Sequence, residues 1–144
     1  MIKKAAVEDA AIIAEMAVKM WKSHTVEELT KDFEAIMEGR ESAVFMLSSE
    51  KQAIGFAQCS LRHDYVEGTD HSPVGYLEGI FVEENYRHQG YARKLTEACE
   101  VWAREKGCRE FASDCELGNT ESLNFHLSVG FTEANRIICF TKKL

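Results

Sequence analysis

The chain has 144 residues, 45% of them hydrophobic, which suits one domain spanning residues 1–144 with one core and leaves no length for a second. Its 17 Lys plus Arg stand against 24 Asp plus Glu, a formal charge of −7 that disfavours broad nucleic-acid binding and suits a cationic ligand if acidic side chains gather in one cleft. No run approaches the ~20 apolar residues that cross a bilayer, and a mixed polar segment rather than an apolar leader follows Met1, so a soluble, cytoplasmic protein without a membrane partner is expected. The five cysteines are odd in number and lack a Cys-x-x-Cys pair, which argues for reduced thiols.

In chain order, Ile2 to Ala5 predicts an edge strand, and the stripe Ile12, Ile13, Met16, Ala17 and Met20 predicts a helix over Ala10 to Met20, with Trp21 at its end. Thr25-Val-Glu-Glu28 has the form of a capping box for a second helix that ends near Gly39. Ala43 to Leu47 and Ala53 to Leu61 flank the turn Ser48 to Gln52 as an antiparallel pair, and Arg62 to Ser72 is a polar loop. Val74 to Val82 is the next strand. From Gln89 onward, Tyr91, Leu95, Ala98, Cys99 and Trp102 lie on one helical face until Gly107. Glu110 to Asp114 reads as a strand, Asn119 and Thr120 introduce a helix to Val129, and Phe131 to Ala134 with Arg136 to Lys142 complete the set as extended segments. The order implies a mixed α/β fold with antiparallel and parallel pairings.

The segment Arg87-His88-Gln89-Gly90-Tyr91-Ala92 opens the long amphipathic helix. Free amides of a first helical turn, aided by the helix dipole, form an anion site, and Gly90 has no Cβ to keep a diphosphate away. It is neither a P-loop nor a dinucleotide fingerprint. The five histidines form no His-x₃-His pair or Cys/His cluster, so no metal is expected.

This turn, the strand Tyr76-Leu-Glu-Gly-Ile-Phe-Val82 before it, and Asn119, Ser122, Phe125, His126, Gly130 and Phe131 after it resemble the GNAT superfamily of acetyl-CoA-dependent N-acetyltransferases. With Leu61-Arg-His-Asp-Tyr65-Val-Glu-Gly-Thr-Asp-His-Ser-Pro73 and Phe111-Ala-Ser-Asp114 included, the chain is similar to the type I aminoglycoside 6′-N-acetyltransferases over nearly its whole length. The resemblance implies a GNAT fold, a splayed central mixed sheet flanked by helices. It implies acetyl-CoA as co-substrate, an aminoglycoside of the kanamycin or tobramycin type as acceptor, and a homodimer.

By the same resemblance, the Ile80, Phe81 and Val82 backbone faces the thioester, and Arg87, His88, Gln89, Gly90, Tyr91 and Ala92 hold the pyrophosphate. Asn119 meets the pantetheine arm, and His126 stands where many relatives carry a Tyr that protonates the departing thiolate. Trp21, His24 and Tyr65 line the acceptor cleft, and Asn135 takes a place where Glu is expected, which predicts weaker binding of highly cationic drugs.

Glu78 is the strongest candidate from the residues themselves. A carboxylate inside an apolar strand costs several kcal/mol unless it faces a cleft or a partner, with a buried ion pair as the competing explanation. Alternation groups Glu78 with Tyr76, Ile80 and Val82, although Gly79 marks a place for a bulge that would re-aim it. Asp114, at the end of its strand, reaches the same pocket or merely caps a turn. Glu78 and Asp114 are therefore the expected catalytic and acceptor-binding pair. The rival functions are a general acetyltransferase acting on polyamines or peptide N-termini and a non-catalytic acyl-CoA-binding regulator.

Overall fold

Strands with apolar residues on both faces demand a layer on each side, and two groups of helices supply it. The computed structural model describes residues 1–144. Strands β1 (Ile2–Lys4), β2 (Ser42–Ser49), β3 (Gln52–Arg62), β4 (Val74–Val82) and β5 (Phe111–Ser113) form one sheet in that spatial order. The first three pairings are antiparallel and β4–β5 is parallel, so the sheet is mixed as expected. The β2–β3 hairpin turns on Glu50 and Lys51, both at positive φ, the twist that a tight hairpin requires.

Helices α1 (Ala10–Ala17) and α2 (Val26–Glu38) cover one face, burying Ile13, Met16, Leu29 and Phe33 against Val44, Met46, Phe56 and Phe81. Thr25 caps α2 by accepting from the Glu28 amide at 3.1 Å, while the Glu28 carboxylate points to His24 instead of completing the reciprocal box. On the other face, α3 (Tyr91–Glu105) buries Leu95, Cys99, Trp102 and Ala103 against Leu47, Ile54, Ala57, Cys59, Leu77 and Val82. All five cysteines are free; Cys99 lies against Cys59, and that contact and burial hold its thiol pKa well above the usual value. Helix α4 (Thr120–Ser128) follows β5, with the Asn119 side chain accepting from the Ser122 amide at 3.1 Å as its N-cap.

The extended segments expected after Gly130 are not strands. Phe131 stacks on Phe111 at 5.9 Å, and beyond it no backbone group of the segment pairs with another strand. The neighbouring edge strand β5 offers only three residues for pairing, and neither segment pairs with it. Ile137, Ile138, Phe140 and Leu144 are consequently exposed.

Candidate active site

The site grows from a fork in the sheet. Strand β5 pairs with β4 only through Gly75, Tyr76 and Leu77, and then the chain leaves the sheet at Asp114. From Glu78 to Val82, β4 has β3 along one edge and no strand along the other. Backbone groups on that open edge are available to a ligand, as a buried backbone must otherwise find a partner.

At the fork β4 carries a bulge. Gln58 pairs with Gly79 and Cys59 with Leu77, which leaves Glu78 as the extra residue. The bulge anticipated at Gly79 is present, and it corrects the simple alternation. Glu78 shares a face with Tyr76, whereas Ile80 and Val82 turn to the opposite face and pack in the α3 layer. Phe81 joins the α1/α2 core, where its ring lies 6.3 Å from Phe56. The Ile80, Phe81 and Val82 side chains are thus packing residues.

Gly79 explains the position of Trp21. A Cβ on Gly79 would lie 2.7 and 2.8 Å from Trp21 ring atoms, so the missing side chain lets the indole cover the strand beside Glu78. Trp21 also stacks on Phe33, with ring centroids 6.4 Å apart. It is a core aromatic that also lies over β4 at Gly79.

Glu78 is held by Arg62, whose Nη2 donates to Oε1 at 2.5 Å and to Oε2 at 2.9 Å while Nε donates to Oε1 at 3.1 Å. The guanidinium carbon of Arg62 lies 3.4 Å from the centre of the Tyr76 ring. The Tyr76 hydroxyl in turn donates to Asp114 Oδ2. Burial, followed by this hydrogen bond to Asp114, pushes the Tyr76 pKa well above the usual phenol value, so the hydroxyl remains a donor. Glu78 and Asp114 come together through two residues that the sequence reading did not single out. Their signal was available in part: Tyr76 lies two residues from Glu78 on one strand face, but Arg62 joins them only through the cross-strand register that opposes Arg62 to Val74 and Ser60 to Tyr76.

The loop between β3 and β4 is tied down near its end and near its centre. Glu110 Oε1 accepts from the Asp70 amide at 2.8 Å, the His71 amide at 2.9 Å and His71 Nδ1 at 2.6 Å. The Asp70 amide, with the His71 side chain, holds the Glu110 carboxyl below its ordinary pKa of 4.5. Nearer the loop's centre, Asn135 Nδ2 donates to Glu67 Oε1 at 2.9 Å, and a Cβ on Gly68 would lie 2.5 Å from Ala134 Cβ. Tyr65 is 75% exposed, its hydroxyl accepting from the Gly68 amide at 3.3 Å. His24 is exposed and sits 3.4 Å from the Glu28 carboxylate. Of the expected acceptor-site residues, Glu78 and Asp114 are linked through Arg62 and Tyr76, Trp21 lies against the neighbouring Gly79, Tyr65 and Asn135 attach to the loop, and His24 is bonded locally.

At the other end of the open edge, His88 and Gly90 have positive φ values of 61° and 83°, and Gly90 precedes α3 as its N-cap. No carbonyl or side chain accepts from the amides of His88 through Arg93, which leaves a concave run of donors at a helix N-terminus. Nothing lies within 4 Å of the position a Gly90 Cβ would take. Arg87 turns back to β4, with its Nε donating to the Val82 carbonyl at 2.7 Å, and Gln89 donates to the Asn85 carbonyl at 3.4 Å. Tyr91 and Ala92 are half-buried at the start of α3. This anchor aligns the end of β4 with the turn.

His126 stands near the fork between Phe125 and Phe131. Its Nδ1 faces the Ser122 carbonyl at 2.7 Å and therefore carries a proton, while Nε2 lies 2.8 Å from Ser113 Oγ. Ser113 Oγ also lies 3.1 Å from the Leu77 carbonyl. A donor role for Nε2 would begin from this Ser113 contact.

A mixed sheet opened along β4, with carboxylates at the fork and bare amides at a helix start, defines an α/β protein suited to a phosphorylated ligand and a cationic one. The chain belongs to the acetyltransferase (GNAT) family, whose model matches residues 11–131. It is 42% identical over 125 residues to the aminoglycoside N(6′)-acetyltransferase type 1 of Salmonella typhimurium strain LT2, covering 87% of this chain and 86% of that one. Among solved structures, AAC(6′)-Iy in complex with CoA superposes with a TM-score of 0.97 at 38% identity, covering 100% of this chain and 95% of that one. The same enzyme in complex with the bisubstrate analogue CoA-S-monomethyl-acetylneamine gives a TM-score of 0.95 at 38% identity, with 100% and 98% covered.

Proposed function

We propose that this protein is an aminoglycoside 6′-N-acetyltransferase that transfers acetyl from acetyl-CoA to the 6′-amino group of drugs of the kanamycin and tobramycin type. Such a reaction confers resistance by removing a positive charge from the antibiotic. The observation that carries the reading is Glu78, bulged from β4 at the start of its open edge and joined to Asp114 through Arg62 and Tyr76. A relative whose bisubstrate complex joins CoA to neamine supports the same pairing of ligands.

In this reading the free amides from His88 to Arg93 bind the donor's pyrophosphate, and the open backbone at Ile80, Phe81 and Val82 faces the thioester carbonyl. Acetyl-CoA supplies an activated acetyl group with a thiolate leaving group. Glu78 and Asp114 attract the ammonium groups of the sugar, and one of them takes the proton lost by the amine, directly or through water. Nitrogen forms the new bond to the acetyl carbon as the carbon–sulfur bond breaks. Asn119 contacts the pantetheine arm while capping α4, and His126, with Nδ1–H held by the Ser122 carbonyl, gives the thiolate a proton from Nε2 only in its doubly protonated form. Trp21, His24, Tyr65 and Asn135 line the acceptor side, and no metal takes part.

We further propose that residues 1–144 act as one domain, in the cytoplasm, as a homodimer. Exposed Ile137, Ile138, Phe140 and Leu144 support association with a second copy, since such a group of apolar side chains is unusual on a surface that stays wet. Light scattering of the intact chain and of a form ending at Ala134 tests this: the intact chain is expected to be dimeric and the shortened one monomeric.

The decisive experiment for the activity is mass spectrometry of kanamycin and tobramycin after incubation with acetyl-CoA, with localisation of the added acetyl. A single acetyl on the 6′ nitrogen is expected. Acetylation of another nitrogen overturns the regiochemistry, turnover only on spermidine or peptides favours a general amine acetyltransferase, and CoA binding without turnover favours a regulator.

A further inference from the structure

Two charged carboxylates aimed into one cleft repel each other, and each is free to turn about its own side-chain torsions unless something holds it. Glu78 and Asp114 are held by different partners that touch one another. Arg62 takes both oxygens of Glu78 and lies over the Tyr76 ring, its guanidinium carbon 3.4 Å from the ring centre, and Tyr76 donates its hydroxyl to Asp114 Oδ2. No donor of the chain meets Asp114 Oδ1, and Glu78 Oε2 receives only one of the three Arg62 contacts. Asp114 is thus oriented through one oxygen with the other free, whereas Glu78 is gripped at both oxygens and keeps its spare acceptor capacity mainly at Oε2.

We propose that Arg62 and Tyr76 are positioning residues, a stacked strut that fixes the mutual orientation of Glu78 and Asp114 so that their remaining acceptor sites receive the acceptor's ammonium groups. This inference rests on the proposed amine-binding role of the two carboxylates. Its chemistry requires an arginine and a tyrosine. The guanidinium is planar, which lets one group fork to a carboxylate and lie against an aromatic face, whereas a lysine ammonium offers charge without either geometry. The phenol spans the distance from that stack to Asp114. The formal charges of Glu78, Asp114 and Arg62 sum to −1, so the strut also offsets the repulsion between the two carboxylates while leaving the cleft attractive to a cation.

Steady-state kinetics of the full chain with kanamycin and acetyl-CoA, on Arg62→Met, Arg62→Lys, Tyr76→Phe and the Arg62→Met/Tyr76→Phe double variant, tests the strut. Arg62→Met is expected to raise the kanamycin KM about tenfold, with kcat changed less and the acetyl-CoA KM unchanged. Arg62→Lys should fail to restore the wild-type value, and Tyr76→Phe, which keeps the ring but loses the hydroxyl, should raise the same KM by about threefold. Because the two residues act as one unit, the double variant should lose less than the product of the single losses.

A kanamycin KM that is unchanged in both single variants overturns the proposal. So does a KM that falls in Arg62→Met, which would make Arg62 a competitor of the substrate. Equal losses toward both substrates would indicate general disorder of the fold and also overturn it. Glu78→Gln and Asp114→Asn separate this from the underlying reading: if they leave the kanamycin kinetics intact, the carboxylate roles fail, whereas if they impair them and the Arg62 and Tyr76 variants do not, only the strut fails.

Discussion

The two sides of the cleft are built from different materials. The proposed donor side is mostly backbone: free amides from His88 to Arg93 and the open edge of β4. The proposed acceptor side is mostly side chains, with Trp21 over Gly79 and Glu78 and Asp114 joined by Arg62 and Tyr76. Backbone donors suit a ligand part that never varies, because almost any side chain is tolerated as long as the turn keeps its shape. Side chains suit a substrate whose hydroxyls and amines must be recognised one by one. Single substitutions should therefore damage acceptor kinetics steeply and donor kinetics weakly, and this contrast is open to direct test.

The largest effect is expected at Glu78. Glu78→Gln should lower kcat/KM for kanamycin by about 10²-fold, in the range that a positioned acid or base contributes, while CoA affinity measured by calorimetry stays constant. Asp114→Asn should follow at about tenfold. Equal damage to CoA binding in either variant would erase the division between the sides.

Gly79→Ala joins stability to the acceptor side. The new Cβ would lie 2.7 Å from the Trp21 ring, so the indole must shift. Overpacking of this kind costs about 1–3 kcal/mol, visible as a lower Tm, and the kanamycin KM should rise with it. An unchanged Tm would mean that Trp21 is loosely held.

Gly90→Ala is the matching change on the donor side. Its Cβ meets nothing within 4 Å, so the cost is the left-handed backbone at φ 83° together with obstruction of the anion's approach. At about 1 kcal/mol, this should raise the acetyl-CoA KM about fivefold and leave the kanamycin KM alone. Asn135→Glu should have a smaller effect, tightening kanamycin about threefold by adding an exposed charge, a gain limited by its opposition to Glu67, which Asn135 now contacts. Equal affinity in a side-by-side titration would remove Asn135 from the acceptor side.

The gentlest probe is pH. The folded pKa of Glu110 lies below its ordinary 4.5, so the folded state prefers the carboxylate. Its contribution is present above the unfolded value and is lost as pH falls through the lower folded one. Melts from pH 7 to pH 3 should therefore show a shallower acid decline for Glu110→Gln than for the wild type, and identical profiles would discount the tie between Glu110 and the β3–β4 loop.

Local patterns made much of this molecule legible. The α2 start is set by Thr25, the end of α3 lies before Gly107, and the donor turn follows from the run His88 to Ala92 before an amphipathic stripe; each depends on residues a few positions apart. Glu78 was conspicuous for a similar reason, since a charge in an apolar strand requires a partner or a cleft wherever the strand lies. The bulge was suggested by Gly79, but its effect on Ile80 and Val82 depends on how β4 pairs with β3.

The sequence by itself determined the short-range order: which segments are helical or extended, where the caps fall, and that a carboxylate on β4 needs an explanation. Only the tertiary structure decided that Arg62 and Tyr76 are that explanation, that the sheet opens after Leu77, and that the residues beyond Phe131 find no strand to pair with. The reason is the range of the forces. Capping and periodicity act within a turn or two of backbone, whereas strand neighbours and cross-sheet contacts join residues far apart in the chain, and one register shift changes which face each side chain takes.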